Sequence, residues 1–283
     1  MKRQNMIGLI LCGLIFFGGF LIKGQLTFYF NIASLMIVAG GSATAALLSF
    51  QLERLRIVRR VVRASYRNRL KSEAEIVDIL IDLSIKSRME GILSLQKDEN
   101  ETSVLFLRRG LGCLVDNYEP QQIRDILNTE MYFFKLRRED SERVLRTIAD
   151  FCPAFGIVGS VAGLIPMLAG IDDTGIILKT VPLALTSILY GLIFANFFFI
   201  PFAANLRERT NHELLLQKII MEGIISIKCE LNPTVLRTKL LSFLTPSDRK
   251  ADLVPLSLIQ ERFHIRVDEN QDDHLDRPGP AVF

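Results

Sequence analysis

Long runs of apolar residues interrupt an otherwise charge-rich chain, and their lengths set the first expectation. Four such runs cover residues 6–22, 32–50, 151–171 and 180–204. Each is long enough, or nearly so, to cross a hydrocarbon core that takes about 20 helical residues. Between and after them the apolar positions recur at helical spacing. "EAEIVDILIDLSIKS" puts Ile76, Ile79, Leu80 and Leu83 on one face, as a half-buried helix requires. "EPQQIRDILNTEMYFFKLRREDSERVLRTIADF" repeats the pattern, with Pro120 placed for a first helical turn. No breaker separates Arg138 from Phe151, so one helix is expected to rise from the polar segment straight into the third run. "NLRERTNHELLLQKIIMEGIISIKCELN" carries the fourth run onward until Asn232-Pro233 stops it. No stretch alternates with the period of a strand. The fold class is therefore all-α: four transmembrane helices and a helical cytoplasmic domain, with the third and fourth spans extending into the cytoplasm.

Five regions follow: 1–50, two spans; 51–150, a cytoplasmic helical domain; 151–204, two more spans; 205–265, a cytoplasmic helical extension; and 266–283, a disordered tail. The tail, "DENQDDHLDRPGPAVF", is polar and bears Pro and Gly, which leaves little to bury. The first run follows Met1-Lys2-Arg3 like a signal peptide, but no clear small-residue cleavage site follows and a second span arrives soon after. It is expected to be retained.

Charge then orients the spans. Lys2 and Arg3 precede the first; Arg54, Arg56, Arg59, Arg60, Arg63, Arg67, Arg69 and Lys71 follow the second; Arg207 and Arg209 follow the fourth. Of Lys and Arg, the short connections hold only Lys23 and Lys179. The positive-inside rule puts both termini and residues 51–150 in the cytoplasm of a multi-pass membrane protein. The whole chain carries a net charge of only +3. The basic run beside the second span is thus expected to orient it and touch anionic lipid head groups; its position argues against nucleic acid. Cys12, Cys113, Cys152 and Cys229 lack metal or redox spacing, and His212, His264 and His274 are scattered. No cofactor, metal or enzymatic chemistry is expected.

The third run is unusual for a lipid-facing helix. "FCPAFGIVGSVAGLIPMLAG" is rich in Gly, Ala and Pro, and Gly156, Gly159, Gly163 and Gly170 fall on one face. Gly159-x-x-x-Gly163 is a small-x-x-x-small pattern that lets helices meet backbone to backbone. Ser160 is its only hydroxyl; Pro153 and Pro201 lie near the cytoplasmic ends of the third and fourth runs, where they loosen backbone bonding. Neither run contains Asp, Glu, Lys, Arg or His. Ion-coupled machines hold an ionisable group at membrane depth, so any ion this chain moves must be carried on a partner's group. A membrane protein that moves nothing is the plain alternative.

These segments resemble the MotA/PomA family of flagellar stator subunits. "PAFGIVGSVAGLIPML" is similar to the family's PA-x-G-x-x-G-T-x-x-G-L, "ALTSILYGLIFANFFFIPFA" to its fourth span, and "SLMIVAGGSATAALLSF" to its second. "SRMEGILSLQ" and "FLRRGLGCLVDNYEPQQIRDILNTEM" resemble its cytoplasmic motifs. The likeness covers about residues 1–235. The related ExbB and TolQ energy transducers share the glycine-rich span but usually have three spans, and are the runner-up. A stand-alone channel or transporter fits the uncharged spans poorly.

The resemblance implies a ring, commonly of five copies, around a single-span MotB-type partner whose Asp carries the ion. Small residues at Gly156, Gly159 and Gly163 would let the ring close on the partner and slide past it. Pro153 and Pro201 map onto the family's functional prolines. Arg88 and Glu90 map onto charges that meet a FliG-type rotor protein. Three departures stand out: Gln96 where the family often has Glu, Ser160 where Thr is frequent, and Ile188 where the second Thr of the fourth span is usual, with Thr186 and Ser187 turned to other faces. Sodium needs several oxygens, so Ile188 favours the proton as the translocated ion. Pro166 is expected to kink the third span.

Overall fold

The structure is a computed structural model, and residues 11–15, 18–19, 29–67, 71–169 and 174–244 are described. All regular elements among them are helical. In chain order they are α1 (Ile32–Ser49), α2 (Leu52–Arg67), α3 (Glu73–Glu90), a short 3-10 turn (Ile92–Leu95), α4 (Gln96–Glu101), α5 (Leu105–Val115), α6 (Pro120–Ala169), α7 (Thr174–Ile193), a π-helical segment (Phe194–Phe199), α8 (Ile200–Lys228) and α9 (Pro233–Leu241). Three helices are long and apolar enough to cross a membrane: Ile32–Ser49, Pro120–Leu168 and Gly175–Lys228. The expected span at 6–22 lies largely outside the described residues, as do Gly170, residues 245–265 and the tail at 266–283.

The expected continuity between membrane and polar segments is present. α6 runs unbroken for 50 residues, about 75 Å at 1.5 Å per residue. The second rod, Gly175–Lys228, is helical throughout its 54 residues. The boundaries at 150/151 and 204/205 thus fall inside helices. One expectation is corrected at the far end: α8 stops at Lys228, before Asn232-Pro233. Glu230 reverses the chain at φ 51°, and Asn232 instead caps α9, its side chain accepting from Thr234 N at 3.0 Å.

Two apolar cores clamp the long helices. In the larger, Ile76, Leu80, Leu83, Leu107, Leu111, Ile123, Leu127, Ile220 and Ile224 pack together from α3, α5, α6 and α8; Ile79 is only partly buried. The smaller core lies where the charged helix halves give way to the apolar ones. Val58 of α2 packs there on Val144 and Leu145 of α6 and on Ala203 and Leu206 of α8.

Candidate functional site

The membrane part is a packing of small residues and backbone. Gly156, Gly159 and Gly163 of α6 all face α7. A Cβ on Gly156 would lie 3.1 Å from Ser187 O and 3.3 Å from Ile188 Cα; on Gly159, 2.7 Å from Ser187 Oγ; on Gly163, 3.1 Å from Ala184 N. Gly191 returns the fit, since a Cβ there would stand 2.6 Å from Cys152 O and 3.1 Å from Pro153 Cα. α1 closes the third side: Gly41 receives the ring of Phe155, and Ile37 reaches Gly159. The glycine stripe is consumed inside one chain. This corrects the expectation that it closes on a partner's helices. The exposed face of α6 is aliphatic instead, with Ile157, Val158, Val161, Ile165 and Leu168.

The hydroxyls are similarly engaged. Ser187 is fully buried and donates to Leu183 O at 2.8 Å. Thr186 donates to Pro182 O at 2.7 Å and meets Ser34 Oγ at 2.8 Å. Tyr190 donates to Tyr29 O at 2.6 Å and accepts from Asn31 N at 3.0 Å. These bonds tie α7 to the start of α1. Ser160 is buried, whereas Ile188 is 37% exposed on the outer face of α7.

Of the two mapped prolines, one lies within regular helix and the other beside an irregular segment. Pro153 is inside α6, half-buried opposite Gly191. Pro201 follows the π-helical segment Phe194–Phe199 directly. A proline inside a helix cannot donate to the carbonyl four residues back and its ring collides with it; one wider turn beforehand makes room. The Asn196 side chain donates to Leu192 O at 2.9 Å across that turn. Pro166 is exposed within the continuous α6.

Arg88 and Glu90 come together at the opposite end. Both are exposed in the last turn of α3, which Gly91 closes at φ 84°, a left-handed conformation that suits glycine. Arg88 Nη2 reaches toward Glu230 O at 3.5 Å. With Ser87, Ile92, Leu93, Ile227 and Leu231 these residues line an open cavity of about 540 Å³. Gln96 is exposed; the nearby carboxylate is Asp98, paired with Lys86 at 2.7 Å. Hydrogen bonding to Asp98 holds the Lys86 ammonium above its ordinary range.

A buried ion cluster that sequence reasoning missed fixes the bases of the two rods. Glu222 of α8 is 8% exposed. It accepts from Arg124 of α6 at 3.1 Å and from Lys239 of α9 at 2.8 Å. Lys218 stands at 3.7 Å. Burial pushes the Glu222 carboxyl up, but the bonds from Lys239 and then Arg124 outweigh it and hold the group below the usual carboxylate range. One local sign was available, Lys218 four residues before Glu222, but the two groups that bond the carboxylate lie 17 and 98 positions away.

Comparison with known proteins agrees along nearly the whole chain. Residues 98–218 match the model of the MotA/TolQ/ExbB proton channel family. Motility protein A of Borreliella burgdorferi is 31% identical over 238 residues, 82% of this chain and 92% of that protein. Chemotaxis protein PomA of Vibrio alginolyticus is 27% identical over 89% of this chain and 99% of its own. The flagellar MotAB stator complex from Bacillus subtilis contains a chain of TM-score 0.80 and 26% identity, with 88% of this chain and 100% of that one covered. With its two helical rods, glycine-packed hairpin and near-full-length likeness to motility protein A, this chain belongs to the MotA family.

Proposed function

We propose that this chain is the ring-forming stator subunit of a bacterial flagellar motor, which turns ion flow into torque around a single-span partner carrying a membrane Asp. The observation that carries this reading is the pair of unbroken helices joining the membrane hairpin to the exposed Arg88 end. A displacement at membrane depth is delivered to the tip without a hinge loop in between. The alignment with motility protein A takes in 82% of this chain and 92% of that relative's length, which favours a stator over an ExbB-like transducer. A homopentamer, a MotB-type partner and a FliG-type rotor contact at Arg88 and Glu90 complete the proposal, with the termini in the cytoplasm.

The ion is the proton. Thr186 and Ser187 already donate to carbonyls within the chain, and the exposed side chains beside them, Leu185 and Ile188, are aliphatic. A desolvated sodium ion would find few free oxygens there, and under-coordinating a buried charge is costly. A proton needs only the partner's carboxylate.

Expression with its partner in a strain lacking its own stator should restore swimming that persists without sodium and collapses with a protonophore; Ile188→Thr should leave it intact. Failure to swim with normal membrane assembly would count against the stator reading. Speed that follows external sodium at fixed pH and membrane potential would overturn the choice of ion alone.

A further inference from the structure

We infer that the outer face of α2 is a binding surface for anionic phospholipid head groups, holding the base of the membrane hairpin at a fixed depth. At about 100° per residue, Arg56, Arg59, Arg60 and Arg63 fall on one side of α2, and all four are exposed. The opposite side carries Val58 and Ser65, both buried against α6 and α8. α2 has one acidic residue, Glu53.

Several arginines outside α2 are paired within the chain: Arg109, Arg124, Arg138 and Arg146 each have a carboxylate partner. Among the described side chains of α2, Arg54 is the one so paired, with Asp140 at 2.8 Å. Among the described residues no carboxylate lies within ion-pair reach of Arg56, Arg59, Arg60 or Arg63. The cations are left for something outside the chain.

The position of α2 specifies what that is. α2 starts directly after the span α1, which ends at Ser49. Its first turn is bound to α6 through Arg54–Asp140. Its last turns are bound to α8, where Ser65 Oγ donates to Asn205 Oδ1 at 3.0 Å and Tyr66 packs edge-on against Phe202. It therefore crosses the two rods at the level where their first charges, Arg146 and Asp150 on α6 and Arg207 on α8, meet the apolar halves. That level is the head-group layer. Guanidinium forks facing it match phosphate oxygens in charge and geometry. Exposed Leu52 and Ile57 on the same helix suit the boundary between head groups and acyl chains.

This rests on the chain being a membrane subunit, not on its role in torque, so its failure would leave the stator proposal standing. The test is native mass spectrometry of the full chain in neutral detergent, titrated with phosphatidylglycerol or with phosphatidylcholine. Each basic residue near an anionic surface contributes about fivefold. Arg56→Gln/Arg60→Gln should therefore weaken phosphatidylglycerol binding by roughly tenfold or more, with phosphatidylcholine unaffected. Arg56→Lys/Arg60→Lys, which keeps the charges, should retain most of the affinity and shows that the helix still folds. Lys97→Gln/Lys135→Gln removes the same charge away from α2 and should change nothing. Wild-type affinity in the Arg→Gln variant, or an equal loss in the Lys→Gln control, overturns the proposal.

Discussion

The membrane hairpin and the polar domain of this chain are packed by opposite means. In the hairpin, Gly156, Gly159, Gly163 and Gly191 bring α6 and α7 within backbone contact, and hydroxyls bond to carbonyls in reach. In the polar domain, large aliphatic side chains such as Leu80, Leu111 and Ile220 fill a core, and a buried carboxylate gathers three cations around it. The two solvents explain the difference. Water drives apolar side chains together at about 25 cal/mol per Å²; lipid does not, so membrane helices associate through close fit and hydrogen bonds. The functional division follows the same line. The charges of the rods gather in their polar halves, and the apolar runs at 151–171 and 180–204 carry no Asp, Glu, Lys, Arg or His.

The largest expected effect comes from breaking the hairpin's fit. Gly191→Val puts branched carbons against Cys152 O and Pro153 Cα, which are backbone atoms and cannot rotate aside. It should cost about 3 kcal/mol, read as loss of thermal stability in detergent. Gly40→Ala, with open space around its Cβ, is the matched control and should be neutral. If Gly191→Val is equally tolerated, the backbone contact does not hold the hairpin.

Glu222→Ala probes the polar domain. Arg124 and Lys239 are about a third or more exposed and recover water when the carboxylate is removed, so the cost should be roughly 1–2 kcal/mol. The folded carboxyl titrates below its unfolded value of about 4.3. Its stabilisation is therefore present above that pH and fades as pH falls through the lower folded value. An acid-unfolding curve should lose this component in Glu222→Ala. A variant curve parallel to wild type would show that the cluster holds no stability.

Arg88→Glu tests the tip and should barely change stability, by less than about 0.5 kcal/mol for an exposed site. It should nevertheless slow swimming with assembly intact. Normal speed would remove Arg88 from the rotor contact.

Much of this division was legible in the sequence. Helical spacing located α3 and α6, and the absence of a breaker foretold the continuous rod. The direction of the glycine face was not, because periodicity shows that a face exists but not what it meets. A complementary row of small residues in α7, Ala184, Ser187 and Gly191, was the available signal that the two helices fit each other. Pro201 was visible, but the π-helical turn that accommodates it depends on α8 continuing past the proline. Glu222 was missed because Arg124 and Lys239, which bond it, lie on two other helices, while its i, i+4 pair with Lys218 reads alone as an ordinary surface pair.

The spans at 151–171 and 180–204 carry no Asp, Glu, Lys, Arg or His, so ions should cross them only on a partner's carboxylate. Proton flux into liposomes, driven by an imposed membrane potential, tests this most directly, with the purified chain alone and with the chain assembled on its single-span partner. Flux with the partner, abolished by Asp→Asn at its membrane carboxylate, and none with the chain alone is the predicted result. Proton conduction by the chain alone would contradict it.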